Sequence, residues 1–324
     1  MSLGEFDIIA RYFTRPCRRA DILLGVGDDA AVLDQPADRN LVIAMDTLVE
    51  GVHFPESASA ADVGYRAIAV NLSDLAAMGA QPRWMTLSLS LPRADERWLA
   101  GFAAGLFELA DRYEVALVGG DTVRGPLVIT VQIGGWVERD VWLMRSGARA
   151  GDLLFVSGVP GEAAAGLATI QRHMDGGEAG AHLRRRFWRP QPRVELGRTL
   201  RTIAGAAMDV SDGLLSDCEK LCAASGCGAL IDLNALPASQ SMRALFDENA
   251  CMGFQLAGGD DYELLFTLAP ERVAELRVVQ GPLNATQIGV ITAGGAVRCE
   301  RGGRIVSVAD CGGYDHFAAK DASR

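Results

Sequence analysis

The sequence predicts a two-domain protein of mixed α/β class, and three observations support that expectation. The chain has 324 residues, which at roughly 150 residues per domain favours about two domains. Apolar runs of strand length alternate along it with helical patterns, as is typical of α/β architectures. A polar, glycine-bearing stretch, RSGARAGD at 145–152, interrupts this alternation. We therefore expect one domain at 1–145 and a second at 146–324.

The predicted elements of each domain follow from these patterns. In the first domain they are a strand at 41–49, a helix at 61–80 that ends at Gly79, a strand at 84–92, an amphipathic helix at 94–114 and strands at 115–120 and 126–137. In the second domain they are strands at 153–158, 228–233 and 263–269, a helix at 161–174 and a helix that begins near Leu214. We predict that the basic segment 175–193, with Arg184, Arg185 and Arg186, is an irregular solvated loop.

Composition and charge restrict the partners of the chain. Hydrophobic residues make up 49% and charged residues 22%, an ordinary mixture for a globular protein. The net charge of -10 argues against a nucleic-acid partner, because phosphate backbones require basic surfaces. The sequence shows neither an apolar leader nor a run of ~18 apolar residues, so we expect no membrane association and a cytoplasmic location.

The cysteines indicate a reduced protein. There are seven, an odd number, and none forms a C-x-x-C pair. Cys218, Cys222 and Cys227 have no common metal-binding spacing, and we predict that they are buried thiols on a helix.

Six aspartates recur in short motifs, mostly beside glycine at the ends of predicted strands. They are Asp29 in GVGDDA, Asp46 in LVIAMD, Asp74 in NLSD, Asp121 in GGDT, and Asp209 and Asp212 in DVSDG. Each alone has a structural explanation, such as a turn, a helix cap or a helix restart. Together, carboxylates with few histidines or cysteines favour a hard cation, and Mg²⁺ binds through one or two carboxylates plus substrate phosphates. We therefore predict a site for several Mg²⁺ ions.

Two other interpretations of these motifs fail. GVGDDA at 25–30 matches the dinucleotide fingerprint G-x-G-x-x-A, but its two aspartates would repel a pyrophosphate, and the residues that follow reach a proline instead of a helix. DVSDG resembles half a calcium-binding loop, but position 12 of such a loop would be Lys220 instead of glutamate. His53, in GVHF, is left open between a structural and a functional role.

The chain lacks the usual lysine-based phosphate sites. There is no G-x-x-x-x-G-K-[ST] loop, and with Lys220 and Lys320 as the only lysines the protein-kinase set is absent too. Phosphates would have to be neutralised by metal ions and by arginines, for which Arg124 and Arg145 are the candidates. These observations favour a Mg-dependent phosphotransferase. The alternative from another class is a non-catalytic module that binds a Mg-nucleotide or calcium.

Eight motifs, in order along almost the whole chain, resemble those of the bacterial thiamine-monophosphate kinase family. They are GVGDDAAVL, MDTLVEGVHF, AVNLSDLAAMGA, VGGDTVRGPL, MRSGARAGD, MDVSDGL, LAGGDDYELLF and GGYDHF. The resemblance implies the aminoimidazole-ribonucleotide synthetase-like fold, with two α/β domains and an N-terminal sheet that forms the interface of a homodimer. It also implies the activity, which is transfer of the γ-phosphoryl group of ATP, as co-substrate, to thiamine monophosphate, giving thiamine diphosphate.

The resemblance also assigns roles to particular residues. The implied Mg²⁺ ligands are Asp29, Asp46, Asp74, Asp121, Asp209 and Asp212. The implied ATP contacts are Gly120, Asp121, Arg145 and Ser211. The implied contacts with the thiamine substrate are His53, Asp260 and Tyr314. The residues on which catalysis would depend are Asp46, Asp121 and Arg145.

Two positions depart from the family pattern. Ala44 and Met45 precede Asp46 where relatives often carry hydroxyl residues, so a metal ligand there is limited to a backbone carbonyl, and we predict that of Met45. Asp260 stands where relatives often carry glutamate and is one methylene shorter. Other proteins of this fold are the runner-up. Selenophosphate synthetase requires an N-terminal cysteine or selenocysteine with a lysine, and the hydrogenase-maturation member requires a C-terminal cysteine, whereas this chain ends KDASR.

The predicted acceptor is a phosphate and not an alcohol. Transfer to a hydroxyl usually uses a base that accepts its proton, and the carboxylates of this chain are better used on metal. A phosphate monoester has a second pKa of about 6, so its attacking oxygen is already anionic at neutral pH. We therefore expect direct in-line attack by the acceptor phosphate without a general base.

Overall fold

The computed structural model describes residues 4–16, 19–279 and 285–308 and residue 313. The chain forms two compact units. The first comprises residues 1–142 and 191–202, and the second comprises residues 143–190 and 203–324. Residues 191–202 thus pack with the first unit, although they come after the start of the second along the chain.

The first unit contains a four-stranded sheet, a small hairpin and the helices that pack on them. Its elements are α1 (Glu5–Ile8, continued by a π-helical turn over Ile9–Phe13), β1 (Ile22–Leu24), β2 (Val32–Leu33), β3 (Arg39–Val49), α2 (Ala60–Ala77), β4 (Gln81–Leu91), α3 (Glu96–Arg112), β5 (Ala116–Arg124), β6 (Val128–Glu138) and α6 (Val194–Leu200). The GVGDDA segment connects β1 to β2 instead of opening a helix, which agrees with the rejection of a dinucleotide fingerprint.

The four-stranded sheet has the strand order β3-β6-β4-β5. β6 pairs antiparallel with β3 and β4, whereas β4 and β5 are parallel because α3 connects them as a crossover. Helices α2 and α3 pack very closely on each other. A Cβ on Gly64 would lie 2.1 Å from the carbonyl oxygen of Phe102, and one on Gly105 would lie 1.8 Å from that of Ala61. Both positions therefore require glycine.

The other face of this sheet is open within one chain. On β3, Leu41, Ile43 and Met45 are 40%, 51% and 62% exposed, and Val123 on β5 is 47% exposed. On the opposite face of β3, Val42 and Ala44 are half-buried and Leu48 is buried. In the strand register, Gln132 and Thr130 of β6 and Thr86 and Ser88 of β4 lie on the same face, between the apolar side chains of the two edge strands. The exposed apolar side chains of β3 and β5 are a candidate interaction surface.

The second unit is built on a seven-stranded sheet. Its elements are β7 (Leu153–Ser157), α4 (Glu162–Gln171), α5 (Gly177–Trp188), β8 (Ala206–Val210), α7 (Leu214–Ser225), β9 (Gly228–Asp232), α8 (Gln240–Leu245), α9 (Glu248–Ala257), β10 (Glu263–Leu268), α10 (Val273–Val279), β11 (Ala285–Thr292), β12 (Val297–Arg301) and β13 (Arg304–Val306). The strand order is β13-β12-β9-β11-β7-β10-β8, and all neighbours are antiparallel except β12 with β9. The predicted mixed α/β class is confirmed in both units.

Helix α7 packs on this sheet and supplies much of the core of the second unit. Cys218 and Cys222 lie on α7, and Cys227 follows its last residue. All three are buried and free, so the prediction of buried thiols is confirmed, but the predicted helical position was wrong for Cys227, which lies two residues beyond the end of α7. None of the helices in the described part of the chain is long and apolar enough to cross a membrane.

One prediction was wrong, because most of the segment 175–193 forms helix α5. Leu183 and Phe187, four positions apart, are 0% and 1% exposed. The helix lies against α4 at Gly166, where a Cβ would meet the carbonyl oxygen of Leu183 at 2.1 Å. Arg186 is not solvated either, since its guanidinium pairs with the buried carboxylate of Glu263 at 2.7 Å.

Candidate active site

A cavity of about 370 Å³ in the first unit brings two of the aspartate motifs together. GVGDDA contributes Asp28 and Asp29, and GGDT contributes Gly120 and Asp121. The full lining is Phe6, Ile9, Phe13, Val26, Gly27, Asp28, Asp29, Leu87, Leu117, Gly119, Gly120, Asp121 and Thr122. Asp29, Gly120 and Asp121 were predicted from the sequence as site residues, and they line one space.

The two glycines of GGDT have different physical roles. Gly120 has φ 154°, and a Cβ there would lie 1.9 Å from the carbonyl oxygen of Leu87 on the neighbouring strand. Glycine at 120 is therefore required by strand pairing. A Cβ on Gly119 would meet nothing within 4 Å, so Gly119 is the position at which the backbone is open to a ligand.

An apolar wall stands opposite these polar groups in the cavity, and the sequence-based prediction missed it. Phe6, Ile9 and Phe13 come from α1 and its π-helical continuation. Phe13 is buried edge-on against Phe102 of α3, with ring centroids 6.3 Å apart. Phe6, in contrast, is 81% exposed at the cavity. The helical spacing of these three side chains was the available signal.

Asp46 on β3 is positioned by a buried asparagine of α2. Its backbone N–H donates to Oδ1 of Asn71 at 3.1 Å, and Nδ2 of Asn71 donates to the carbonyl oxygen of Ala67 at 2.9 Å. Asn71 is 0% exposed, so the amide fixes β3 to α2 at this point. Asp74 lies less than one turn further along the same helix. Both aspartates were predicted ligands, and their ligand roles stay predictions.

The geometry also bears on the predicted carbonyl of Met45. Because the N–H of Asp46 faces Asn71, the carbonyl of the same peptide group points the opposite way, toward β6. Its second lone pair would have to bind a metal ion. The side chain of Met45 is on the open face of the sheet.

Asp46 and Asp121 lie at opposite edges of the sheet. In the strand register Asp46 is level with Val131, Val131 with Leu87, and Leu87 with Gly120. Three steps of about 4.8 Å between strands separate the two edges by about 14 Å. Since Mg²⁺ binds oxygen at about 2.1 Å, these two carboxylates of one chain do not share an ion.

His53 follows β3 in a tight turn that determines its tautomer. The ring Nδ1 of His53 accepts a hydrogen bond from the backbone N–H of Val49 at 2.9 Å. The backbone N–H of His53 donates to the carbonyl oxygen of Val49, also at 2.9 Å. The neutral ring therefore carries its proton on Nε2. Such a histidine offers a donor to a ligand and is not set to accept a proton.

In the second unit, Asp217 organises the DVSDG loop. Its side chain is 0% exposed, and Oδ2 accepts the N–H groups of Ser211 at 2.9 Å and of Asp212 at 3.0 Å. Oδ1 accepts a hydrogen bond from Nζ of Lys220 at 2.7 Å, and the same ammonium binds Asp212 at 2.5 Å. Burial raises the pKa of Asp217, and Lys220 acts in the opposite direction. The sequence-based prediction missed Asp217, which lies on α7 beyond the DVSDG motif and carries no local pattern of its own.

Asp260 is held beside the same loop. Its N–H donates to the carbonyl oxygen of Ser211 at 2.8 Å, and its carboxylate accepts from the hydroxyl of Tyr262 at 3.2 Å. Asp260 and Tyr262 have φ of 70° and 52°, in the left-handed region that few residues adopt. The predicted site residues Ser211, Asp212 and Asp260 are thus brought together, and Asp209 is 5% exposed on β8 nearby.

The intervening residue, Asp261, anchors this loop to α4. It is 1% exposed and accepts the N–H groups of Gly161 at 2.6 Å and Ala163 at 3.2 Å. Burial raises the pKa of Asp261 to about 8, against the opposing effect of these two hydrogen bonds.

Arg145 and Tyr314 are the two remaining site residues that the sequence predicted. Arg145 is exposed, and its carbonyl oxygen accepts from the hydroxyl of Ser225 at 3.1 Å, so its backbone is fixed while its side chain is accessible. Within the described residues its guanidinium has no ion-pair partner. Tyr314 lies outside the described residues.

The ligand chemistry fits Mg²⁺, although one chain does not contain a preformed cage. No group of three or more His, Cys, Asp and Glu that could hold a metal ion occurs in the described residues. Asp28, Asp29 and Asp121 nevertheless offer only oxygen around one cavity. Mg²⁺ commonly uses one or two carboxylates and takes its other ligands from water and phosphate.

Two family models match the chain. AIR synthase related protein, N-terminal domain, covers residues 27–137, and AIR synthase related protein, C-terminal domain, covers residues 149–302. With the fold described above, these matches place the chain among the AIR synthase-related proteins.

Similarity to individual proteins extends over the full length. Thiamine-monophosphate kinase of Salmonella typhimurium is 47% identical over 98% of this chain and 99% of its own length. The crystal structure of thiamine-monophosphate kinase from Stenotrophomonas maltophilia is 46% identical, covers 93% of this chain and 98% of that chain, and has a TM-score of 0.86. A complex of AaThiL with AMPPCP and TMP is 33% identical, covers 90% of this chain and 92% of that chain, and has a TM-score of 0.77. The chain belongs to the thiamine-monophosphate kinase family.

Proposed function

We propose that this chain transfers the γ-phosphoryl group of ATP to thiamine monophosphate, giving thiamine diphosphate and ADP. The observation that supports it most is the cavity in which open glycine backbone and three carboxylates face an apolar wall. A relative with the same fold binds AMPPCP, an analogue of ATP, together with TMP, which we take as thiamine monophosphate. Arg124 and Arg145 remain the proposed cationic contacts of phosphate oxygens, as expected from the sequence, and both side chains are exposed.

The two sides of the cavity suit the two ends of a nucleotide. Phosphates would lie against the open backbone at Gly119. Asp29 and Asp121 would hold Mg²⁺, whose charge would neutralise that of the phosphates. The base would cover Phe6, which is otherwise 81% exposed, and so remove apolar surface from water. A volume of about 370 Å³ lies in the range of about 300–1,000 Å³ that is typical of ligand pockets.

The bound Mg²⁺ ions would neutralise the charge on both phosphates, which is most of what phosphoryl transfer requires. The protein's own residues then have to bind and orient the two substrates. No proton has to be removed from an anionic phosphate acceptor, and the tautomer of His53 agrees with that, since the neutral ring carries its proton on Nε2. Its Nε2–H is suited to donate to the thiamine substrate.

We further propose that the chain acts as a homodimer whose N-terminal sheets meet through their open faces. Leu41, Ile43 and Met45 would then be covered. β3 and β5 are the two edges of each sheet, and edges need partners for their unpaired backbone groups. With twofold symmetry, β5 of one copy would lie beside β3 of the other. The partner's Asp46 would then approach Asp121, whereas within one sheet the edges that carry these two residues are about 14 Å apart.

The activity is tested by incubating the protein with MgATP and thiamine monophosphate and resolving the products chromatographically. We expect thiamine diphosphate and ADP in equal amounts. Omission of thiamine monophosphate should stop ADP release. If the nucleotide bound but no thiamine diphosphate formed, the chain would be a nucleotide-binding module and the proposal would be wrong.

A further inference from the structure

We propose that Lys220 is a tethered cation that neutralises Asp212 and keeps this carboxylate out of metal coordination, so that the chain binds one divalent ion fewer than its aspartate motifs imply. The inference extends the proposed function, because it concerns how many ions accompany the nucleotide. It departs from the sequence-based prediction, which counted Asp212 among the Mg²⁺ ligands.

The contacts of Lys220 are those expected of a cation at a metal position. Its Nζ lies 2.5 Å from Oδ2 of Asp212 and 2.7 Å from Oδ1 of Asp217. It bridges two carboxylates, one of which is buried at 0% exposure while the other is 36% exposed. Charge-assisted hydrogen bonds of this length are the strong ones. A divalent ion at the same oxygen of Asp212 would meet the ammonium at close range and be repelled by it.

The arrangement is local, so it needs no metal ion to form. Asp217 and Lys220 are three residues apart on α7 and therefore share a face of the helix. Asp217 in turn accepts the N–H groups of Ser211 and Asp212. The loop, the buried carboxylate and the ammonium thus form a closed set of contacts within ten positions of sequence, from Ser211 to Lys220.

The same contacts reach the predicted substrate residue. The carbonyl oxygen of Ser211 accepts the N–H of Asp260 at 2.8 Å. Gly259 packs on the same carbonyl, where a Cβ would lie at 2.5 Å. Lys220 therefore stabilises a loop pair that carries Ser211 and Asp260 without touching either. It is a positioning residue, and the charge that it supplies replaces that of an ion.

The test counts Mn²⁺ ions bound per chain by electron paramagnetic resonance in the presence of AMPPCP. The variants are K220M, which keeps the length of the side chain but not its charge, and K220R, which keeps the charge. We expect K220M to bind one Mn²⁺ more than the wild type and K220R to bind the same number. Equal counts and equal affinities in K220M and the wild type would overturn the proposal.

A second variant keeps the inference testable if K220M does not fold. D212N should bind as many Mn²⁺ ions as the wild type, because Asp212 is engaged by Lys220 and not by metal. The loss of one ion in D212N would mean that the metal displaces the lysine, and the proposal would be wrong. Neither count requires phosphoryl transfer, so failure of the thiamine monophosphate assay with these counts unchanged would remove only the proposed function.

Discussion

Asp121 is the predicted site carboxylate that lines the cavity beside open glycine backbone. Asp121 follows the two glycines of GGDT. It lines the cavity together with Asp29, opposite the apolar wall. We expect Asp121→Asn to lower kcat by about 10²–10³, because it removes charge where phosphoryl transfer needs it. Steady-state kinetics with MgATP and thiamine monophosphate check this, with melting temperature measured alongside.

The matched control for that variant is Asp111→Asn in the same unit. Asp111 is an exposed aspartate of α3 that pairs with Arg15 at 3.0 Å, outside this cavity. An exposed ion pair contributes about 0–1 kcal/mol, so this variant should keep its activity and nearly all of its stability. If both variants lost activity equally, or if Asp121→Asn remained active, Asp121 would not belong to the site.

Several carboxylates of the site could be predicted from the sequence, but the buried polar side chains that position them could not. Asp29 and Asp121 could be found because glycine near an acid is a local pattern, although β5 continues to Arg124 and Asp121 therefore lies within the strand instead of at its end. Asn71 and Asp217 could not be given their roles, because a buried polar side chain that holds a loop is recognised only by what it contacts. Phe6 was missed because its helical spacing with Ile9 and Phe13 indicates an apolar helix face but does not show that this face lines a cavity.

The loop before β10 supplies a prediction about stability and pH. Burial raises the pKa of Asp261 in the folded chain to about 8, from 3.8 for an unperturbed aspartate. Between these values the folded chain holds a proton that the unfolded chain has released. The free energy of unfolding should therefore fall as pH rises from about 4 to about 8. Between about pH 6 and about pH 8 the loss from this residue is about 2 kcal/mol.

Thermal melting of Asp261→Asn at the two pH values checks this. The amide does not ionise, so the variant should lose less stability than the wild type over the interval, although it starts lower because it cannot accept both N–H groups. Asp247→Asn is the control, since Asp247 caps α9 through the N–H of Ala250 and is exposed. It should show the wild-type pH dependence. Parallel pH dependence of Asp261→Asn and the wild type would contradict the assignment.

Elements with strong periodicity were predicted closely, and elements defined by contacts were not. The strand at 41–49 and the helix at 61–80 appear as β3 and α2. Helix α5 was mistaken for a loop, because its arginines outweighed Leu183 and Phe187 in the sequence. Arg186 becomes intelligible only when Glu162 and Glu263 are brought to it by other elements, at 3.3 Å and 2.7 Å.

The sequence could not predict that the motifs of Asp46 and Asp121 lie at opposite edges of one sheet. Asp46 and Asp121 look equivalent along the chain, each at the end of an apolar strand. The strand order places them on opposite edges of one sheet, about 14 Å apart by the spacing of strands. The face between these edges is open, with exposed apolar side chains on β3 and β5. Both facts are explained together if a second copy covers the face and joins the edges.

We propose that Asp46 and Asp121 act in one phosphate-transferring site only when two copies of the chain meet. The direct test is a heterodimer of an Asp46→Asn chain and an Asp121→Asn chain, co-expressed with different tags and purified through both. One of its two sites then has Asp121 from one chain and Asp46 from the other, and is intact. We predict thiamine monophosphate kinase activity of about half the wild-type value, while each variant homodimer is nearly inactive. A heterodimer as inactive as its parents would contradict the claim and return both aspartates to a site within one chain.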